Sequence, residues 1–238
     1  MAVLKKWYSF AEGDVYEGTE PCLFDIENKP WKKLLEDNSE TILNEFRQIV
    51  EKRNKNLIPY FNKTLASDPE SWTIFPLLSW KEKYAENCKE CPETIKIIEG
   101  IDGAVSCLFS VLKPHTKIKP HLGDSNVMYR CHLTLKCEGK LPDIGMRVGD
   151  KMINWENGKL IAFCDAYNHE VWNNTNEERW VLILDILREE FLPEQKQICK
   201  EIKATLWWQL KFQNFYFIKH MPRWSRRLLM NGTAWFIR

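Results

Sequence analysis

The stretch Arg130-Cys131-His132-Leu133-Thr134-Leu135 decides the fold class. Cys131, Leu133 and Leu135 alternate with Arg130, His132 and Thr134, so an extended chain sends the two sets to opposite faces. One face joins a core. The other carries a guanidinium, an imidazole and a hydroxyl side by side, and we read it as lining a polar cavity. Similar short runs surround it: Val105–Leu112, Met128–Leu135, Gly145–Val148, Leu160–Cys164, Glu170–Trp172 and Trp180–Leu187. They are rich in β-branched and aromatic residues and are separated by Gly, Pro, Asn and Asp. About six strands within roughly 85 residues predict a mainly β core, a sandwich or jelly roll.

Outward from this core the periodicity changes. Asn38 or Ser39 caps a segment in which Ile42, Leu43, Phe46, Ile49 and Val50 recur at helical spacing. A Pro-, Trp- and Lys-rich stretch runs from Pro69 to Glu93. After the core, Pro193-Glu194 opens a helix with Ile198, Ile202, Leu206 and Leu210 on one face. A basic aromatic tail follows, in which Lys211, Lys219, Arg223, Arg226, Arg227 and Arg238 interleave with Phe215, Phe217, Trp224 and Trp235. The expected organisation is one integrated catalytic domain: a helical and irregular part over 1–104, the β core over 105–190, and a C-terminal helix and tail over 191–238.

Composition bounds the partners. A net charge of +1 over 238 residues gives no global argument for nucleic acid, and 44% apolar residues suffice for a sizeable core. The tail is the one place where peripheral contact with a membrane surface or a partner is expected. Met1–Tyr8 carries no long apolar run, so a cytoplasmic location with reduced cysteines is expected. Cys88-Lys-Glu-Cys91 lacks the second pair that a zinc site needs.

The histidines are His115, His121, His132, His169 and His220, and all but the last fall in or beside the β region. Two imidazoles and open positions suit iron in an oxygenase, and an arginine fork suits the far carboxylate of a dicarboxylate cosubstrate.

The ordered set Pro120-His121-Leu-Gly-Asp-Ser-Asn126, Tyr129-Arg130-Cys-His132-Leu133, Trp155-Glu-Asn-Gly158-Lys159, Phe163-Cys-Asp165-Ala-Tyr-Asn-His169-Glu-Val-Trp-Asn173, Arg179 and Asp185 resembles the aspartyl/asparaginyl β-hydroxylase family. The family is a branch of the Fe(II)/2-oxoglutarate dioxygenases. The resemblance implies a double-stranded β-helix core with flanking helices. It implies Fe(II) held by His121 and His169, and 2-oxoglutarate and O2 as cosubstrates. Ser110, Arg130, His132 and Arg179 match residues that hold 2-oxoglutarate. Arg179 and Ser110 match those on its far carboxylate. Asp165 matches an acidic residue beside the iron-bound water, and Trp72 matches an aromatic at the substrate cleft.

Gly123 stands two residues after His121, where many enzymes of this chemistry place a carboxylate ligand, and glycine has no donor. The family resembled also lacks that carboxylate. Met128 stands where vertebrate-type aspartyl hydroxylases carry an arginine for the substrate carboxylate, so Met128 is expected in the cleft. The function implied is hydroxylation of an amino-acid or peptide C–H with release of succinate and CO2. Other readings stay open: fatty acyl hydroxylation as in lipid A modification, iron-dependent halogenation, a carrier-bound or other small-molecule substrate, or a cupin-like binding protein without turnover.

Overall fold

The computed structural model describes residues 5–13, 15–52, 57–212 and 220–237; Phe215, Phe217, Lys219 and Arg238 of the tail lie outside the described residues. The strands are β1 (Ile58–Pro59), β2 (Trp72–Ser79), β3 (Glu82–Lys83), β4 (Ala104–Leu112), β5 (Thr116–His121), β6 (Met128–Lys136), β7 (Ile144–Val148), β8 (Lys151–Ile153), β9 (Leu160–Phe163), β10 (His169–Asn173) and β11 (Arg179–Leu187). The helices are α1 (Ser9–Glu12), α2 (Pro30–Asp37), α3 (Ser39–Lys52), α4 (Ala85–Glu90), α5 (Pro92–Glu99), α6 (Gln195–Phe212) and α7 (Arg223–Phe236), with a 3-10 turn at Glu189–Glu194.

The strands form two antiparallel sheets. The larger runs β1-β2-β4-β11-β6-β9 with β3 on β2, and the smaller runs β5-β10-β7-β8. This is the jelly-roll core with flanking helices that the alternation predicts. Neighbours in sequence are seldom neighbours in the larger sheet: β11 inserts between β4 and β6. That long-range pairing sets the cavity, because the register places Ile183 between Leu108 and His132, and Asp185 between Ser106 and Arg130.

The outer face of the larger sheet is apolar. Phe75, Phe109, Leu133 and Leu182 join Ile42, Phe46 and Ile49 of α3 in one core cluster. These three α3 residues recur at i, i+4 and i+7, a stripe along one side of the helix. The Phe46 ring stacks on Phe109 with centroids 4.2 Å apart. Burying a ring of this size is worth roughly 2–3 kcal/mol. The inner face meets the smaller sheet, where Leu112, Phe163 and Val181 pack with Ile118, Met146, Val148 and Val171.

The sheet begins earlier than the pattern predicts. β2 pairs along β4, well before residue 105. Its side chains are buried on both faces, so it shows no alternation, and Pro76 interrupts it at a register shift. β5 was also silent, because Pro120 sits within it.

Candidate active site

The two sheets enclose a cavity of about 340 Å³ whose wall includes His121, His132, His169, Arg130, Arg179 and Ser110. Sheet register brings the first and third of these together. His121 at the end of β5 is the direct cross-strand partner of His169 at the start of β10. Cross-strand partners project from the same face, and the two ring centroids are 4.2 Å apart.

Each ring is locked by its own strand. Nδ1 of His121 donates to the Lys119 carbonyl at 2.8 Å, and Nδ1 of His169 donates to the Tyr167 carbonyl at 2.8 Å. This fixes the tautomer and leaves Nε2 of each ring as the lone-pair nitrogen, the arrangement that orients a metal-ligating histidine. Burial pushes both imidazoles below their ordinary pKa, and His169 is pushed further by the neighbouring His121. Both rings are therefore neutral at pH 7, the form that binds metal. Among the described residues no three His, Cys, Asp or Glu side chains converge as a metal-binding group, so the imidazoles stand as a pair.

Asp165 explains why. Its side chain is fully buried, and Oδ1 lies 3.8 Å from Nε2 of His169. Oδ2 accepts the Asp124 backbone N–H at 2.8 Å, and Oδ1 accepts from Nη1 of Arg130 at 2.7 Å. A Cβ at Gly123 would fall on this carboxylate. Gly123 is thus more than a missing donor: it leaves open the space that the Asp165 carboxylate fills.

Arg130 faces the cavity as alternation predicts, yet three of its donors serve carboxylates. Nε and Nη2 reach Asp185 at 2.8 and 3.0 Å, and Nη1 reaches Asp165. Burial alone would lower its pKa, but Asp165 and Asp185 outweigh it and hold the guanidinium firmly charged. Asp124, also on the cavity wall, is raised to about 6 by burial and then by Asp165.

Arg179 is the opposite case. It is 1% exposed, and its Nε has no hydrogen-bond partner among the described residues. Its nearest compensation is the Trp155 ring, 4.8 Å from the guanidinium carbon. Burial lowers its pKa to about 10. Nδ1 of His132, Oγ1 of Thr134 and Nε1 of Trp155 are likewise buried without partners. An unpaired buried cation ringed by unsatisfied polar atoms is costly unless an anion completes it. Ser110 is buried beside this group and accepts from Nε1 of Trp72 at 3.0 Å.

Trp72 lines the cavity as expected, stacked on Tyr60 with centroids 3.7 Å apart. Met128 does not. It is fully buried with Tyr8, Phe10, Val105 and Leu187 in a separate cluster. The inner face of the sheet is plugged there by the N-terminal segment and α6, so a position two residues before Arg130 never reaches the cleft. Asp124, Thr134, Trp155, Asp185 and Tyr60 join the site only in the folded chain. Thr134 was signalled, since it shares the face of Arg130 and His132. The two cysteines of the Cys88–Cys91 pair stand apart from the site as thiols: Cys88 Sγ donates to the Leu77 carbonyl, and Cys91 is buried.

The cavity also has a large apolar share, alongside polar residues such as Ser79, Ser106 and Asp124. Ile58, Phe61, Ile74, Pro76, Leu108 and Leu206 lie on the same wall as the histidines.

The chain is 30% identical to an ornithine lipid ester-linked acyl 2-hydroxylase of Rhizobium tropici over 174 residues, which are 71% of this chain and 61% of that protein. It is 28% identical to the aspartyl/asparaginyl beta-hydroxylase of Mus musculus over 172 residues, 69% of this chain and 22% of that protein. The chain therefore spans less than two thirds of the length of either relative. Among solved structures, a prolyl-4-hydroxylase of Pseudomonas putida is similar over 63% of this chain and 88% of that chain, with 19% identity and a TM-score of 0.42. The family described as aspartyl/asparaginyl beta-hydroxylase matches residues 36–189, a span that takes in all the described strands and the three cavity histidines, and the chain belongs to that family.

Proposed function

We propose that this protein is an Fe(II)- and 2-oxoglutarate-dependent hydroxylase whose substrate presents an acyl chain. The observation that carries the cofactor reading is Arg179, a buried cation without a counter-ion among the described residues, in the same cavity as two neutral, cross-strand histidines. His121 and His169 would hold the iron. Arg179, with His132, Thr134 and Ser110 around it, would hold the far carboxylate of 2-oxoglutarate, and that carboxylate would satisfy the orphaned polar atoms. When bound, the pair supplies an oxidant that inserts one atom of O2 into a C–H bond while 2-oxoglutarate leaves as succinate and CO2.

The chain's own residues do the positioning. The strand carbonyls of Lys119 and Tyr167 keep each imidazole aimed and neutral. Arg130 and the Asp124 amide hold Asp165 beside the histidine pair, where it can accept a proton from a bound water. The stacked pair Tyr60 and Trp72 forms an aromatic wall of the cavity and shields it from water.

The substrate reading rests on the apolar side chains of the cavity wall. Arg130, the other cavity arginine, is already balanced by Asp165 and Asp185, and Met128 lies elsewhere. An acidic peptide would find little to match its carboxylate. A hydrocarbon chain finds Ile58, Phe61, Ile74 and Leu108. The acyl 2-hydroxylase relative is consistent with this choice.

The test is succinate release and product mass, measured with iron, 2-oxoglutarate and either an acylated lipid or an aspartate-containing peptide. Lipid hydroxylation is expected, absent in His169→Ala. Leu108→Trp, which adds bulk to the apolar part of the cavity wall, should abolish lipid hydroxylation while leaving substrate-independent 2-oxoglutarate turnover. Hydroxylation of the peptide and not the lipid would overturn the substrate reading; full turnover in His169→Ala would overturn the cofactor reading.

A further inference from the structure

Helix α7 has two faces of opposite character. Met230 and Ala234 are buried, at 3% and 1% exposure, where the helix packs on α6 and α1. Nε1 of Trp208 in α6 donates to Oγ1 of Thr233 at 2.9 Å, and Arg227 pairs with Glu12 of α1. The other face carries Trp224, Leu228 and Trp235, exposed by 68%, 63% and 78%. Their spacing of four and seven residues puts them in one stripe along the helix. Phe236 beside them is 77% exposed. Among the described residues nothing covers this stripe.

We propose that this stripe docks the protein on the surface of an anionic lipid bilayer. Charge selects that occupant. From Ile202 to Arg238 the sequence contains seven lysines and arginines and no aspartate or glutamate, while the whole chain carries only +1. A protein partner would not need tryptophan and leucine in a field of net positive charge. A bilayer with acidic headgroups matches both parts: tryptophan settles at the headgroup boundary, and basic side chains reach the phosphates. Among the described residues no helix is long and apolar enough to cross a membrane, which fits a helix lying in the interface.

Helix α6 links the stripe to the cavity. Its Leu206 and Leu210 line the cavity, while Leu210 and Trp207 are exposed, at 47% and 46%. Lys211 stands over the Trp207 ring, 5.6 Å from its centroid. Docking through α7 would thus bring the bilayer to the helix that forms one wall of the cavity. The inference does not depend on the substrate reading, since a bilayer-docked enzyme can act on any substrate presented there.

The test is co-sedimentation of the full chain with vesicles of phosphatidylcholine alone or with about 30 mol % phosphatidylglycerol. We expect binding to the anionic vesicles, lost at about 0.5 M salt. The variant Trp224→Ser/Leu228→Ser/Trp235→Ser should bind about 100-fold more weakly. Because these side chains are exposed, the variant should keep the wild-type melting temperature. A blue shift of tryptophan fluorescence on vesicle addition, absent in the variant, would place the stripe in the bilayer. Three results would overturn the proposal: no binding to anionic vesicles at low salt, equal binding by the variant, or a wild-type dimer in sedimentation equilibrium that the substitutions convert to a monomer while no vesicle binding occurs.

Discussion

Replacing Arg179 by Met should make the ligand-free protein no less stable while removing its response to 2-oxoglutarate. In most proteins the loss of a buried arginine is severely destabilising, because it strands a carboxylate. Here none is stranded: no ion pair of Arg179 occurs among the described residues, and burial lowers its pKa to about 10 from 12.5. At ~1.4 kcal/mol for each tenfold change in acidity, the charged form is disfavoured in the folded state by about 3 kcal/mol. The Trp155 ring offsets roughly 1–2 kcal/mol of that through its face. The net expectation for Arg179→Met is a gain of about 1 kcal/mol, or about 3 °C in melting temperature for a chain of this length. The wild type should in turn gain about 2.7 kcal/mol from 2-oxoglutarate at roughly one hundred times its dissociation constant, and the variant nothing. Thermal denaturation with and without 2-oxoglutarate, on metal-loaded protein, reads both effects. A loss of more than about 3 kcal/mol in the ligand-free variant would mean that Arg179 is already compensated and would refute the reasoning. So would an undiminished shift with 2-oxoglutarate.

Two further outcomes follow from the site. Gly123→Ala should push Asp165 off Arg130 and cost about 3–5 kcal/mol, the usual loss when a buried ion pair is broken; urea denaturation checks it, and a variant with wild-type stability and turnover would show that the Asp165 carboxylate is free to move. Metal-free protein should lose stability as pH falls below 6.5, because burial holds His132 and His169 well below that ordinary value. The folded rings stay neutral while those of the unfolded chain take up protons, so stability is complete above 6.5 and declines below it by about 1.4 kcal/mol per pH step per ring. Urea midpoints at about pH 7.5 and 5.5 measure this; His132→Asn should flatten the decline, and a midpoint unchanged between the two would contradict the burial argument.

The sequence by itself determined the strands with alternating or β-branched runs, the α3 and α6 helices, and the residue types that carry the chemistry. Alternation within six residues was enough to put Arg130, His132 and Thr134 on one face, because a strand's side-chain period is local. Strand β2 was illegible for the converse reason: it is buried on both faces and holds Pro76. What the tertiary structure alone decided depends on which strands become neighbours. His121 and His169 are far apart in the chain and meet only through the β5–β10 register. The need for Gly123 arises from a carboxylate that arrives on a different segment. The family resemblance implies Met128 in the cleft, yet Met128 packs with residues of α6 and the N-terminal segment. Arg130 and Arg179 look alike in sequence; one is neutralised and the other left unpaired because Asp165 and Asp185 converge on the first alone. Charge compensation is a property of packing between distant segments, and no local pattern encodes it.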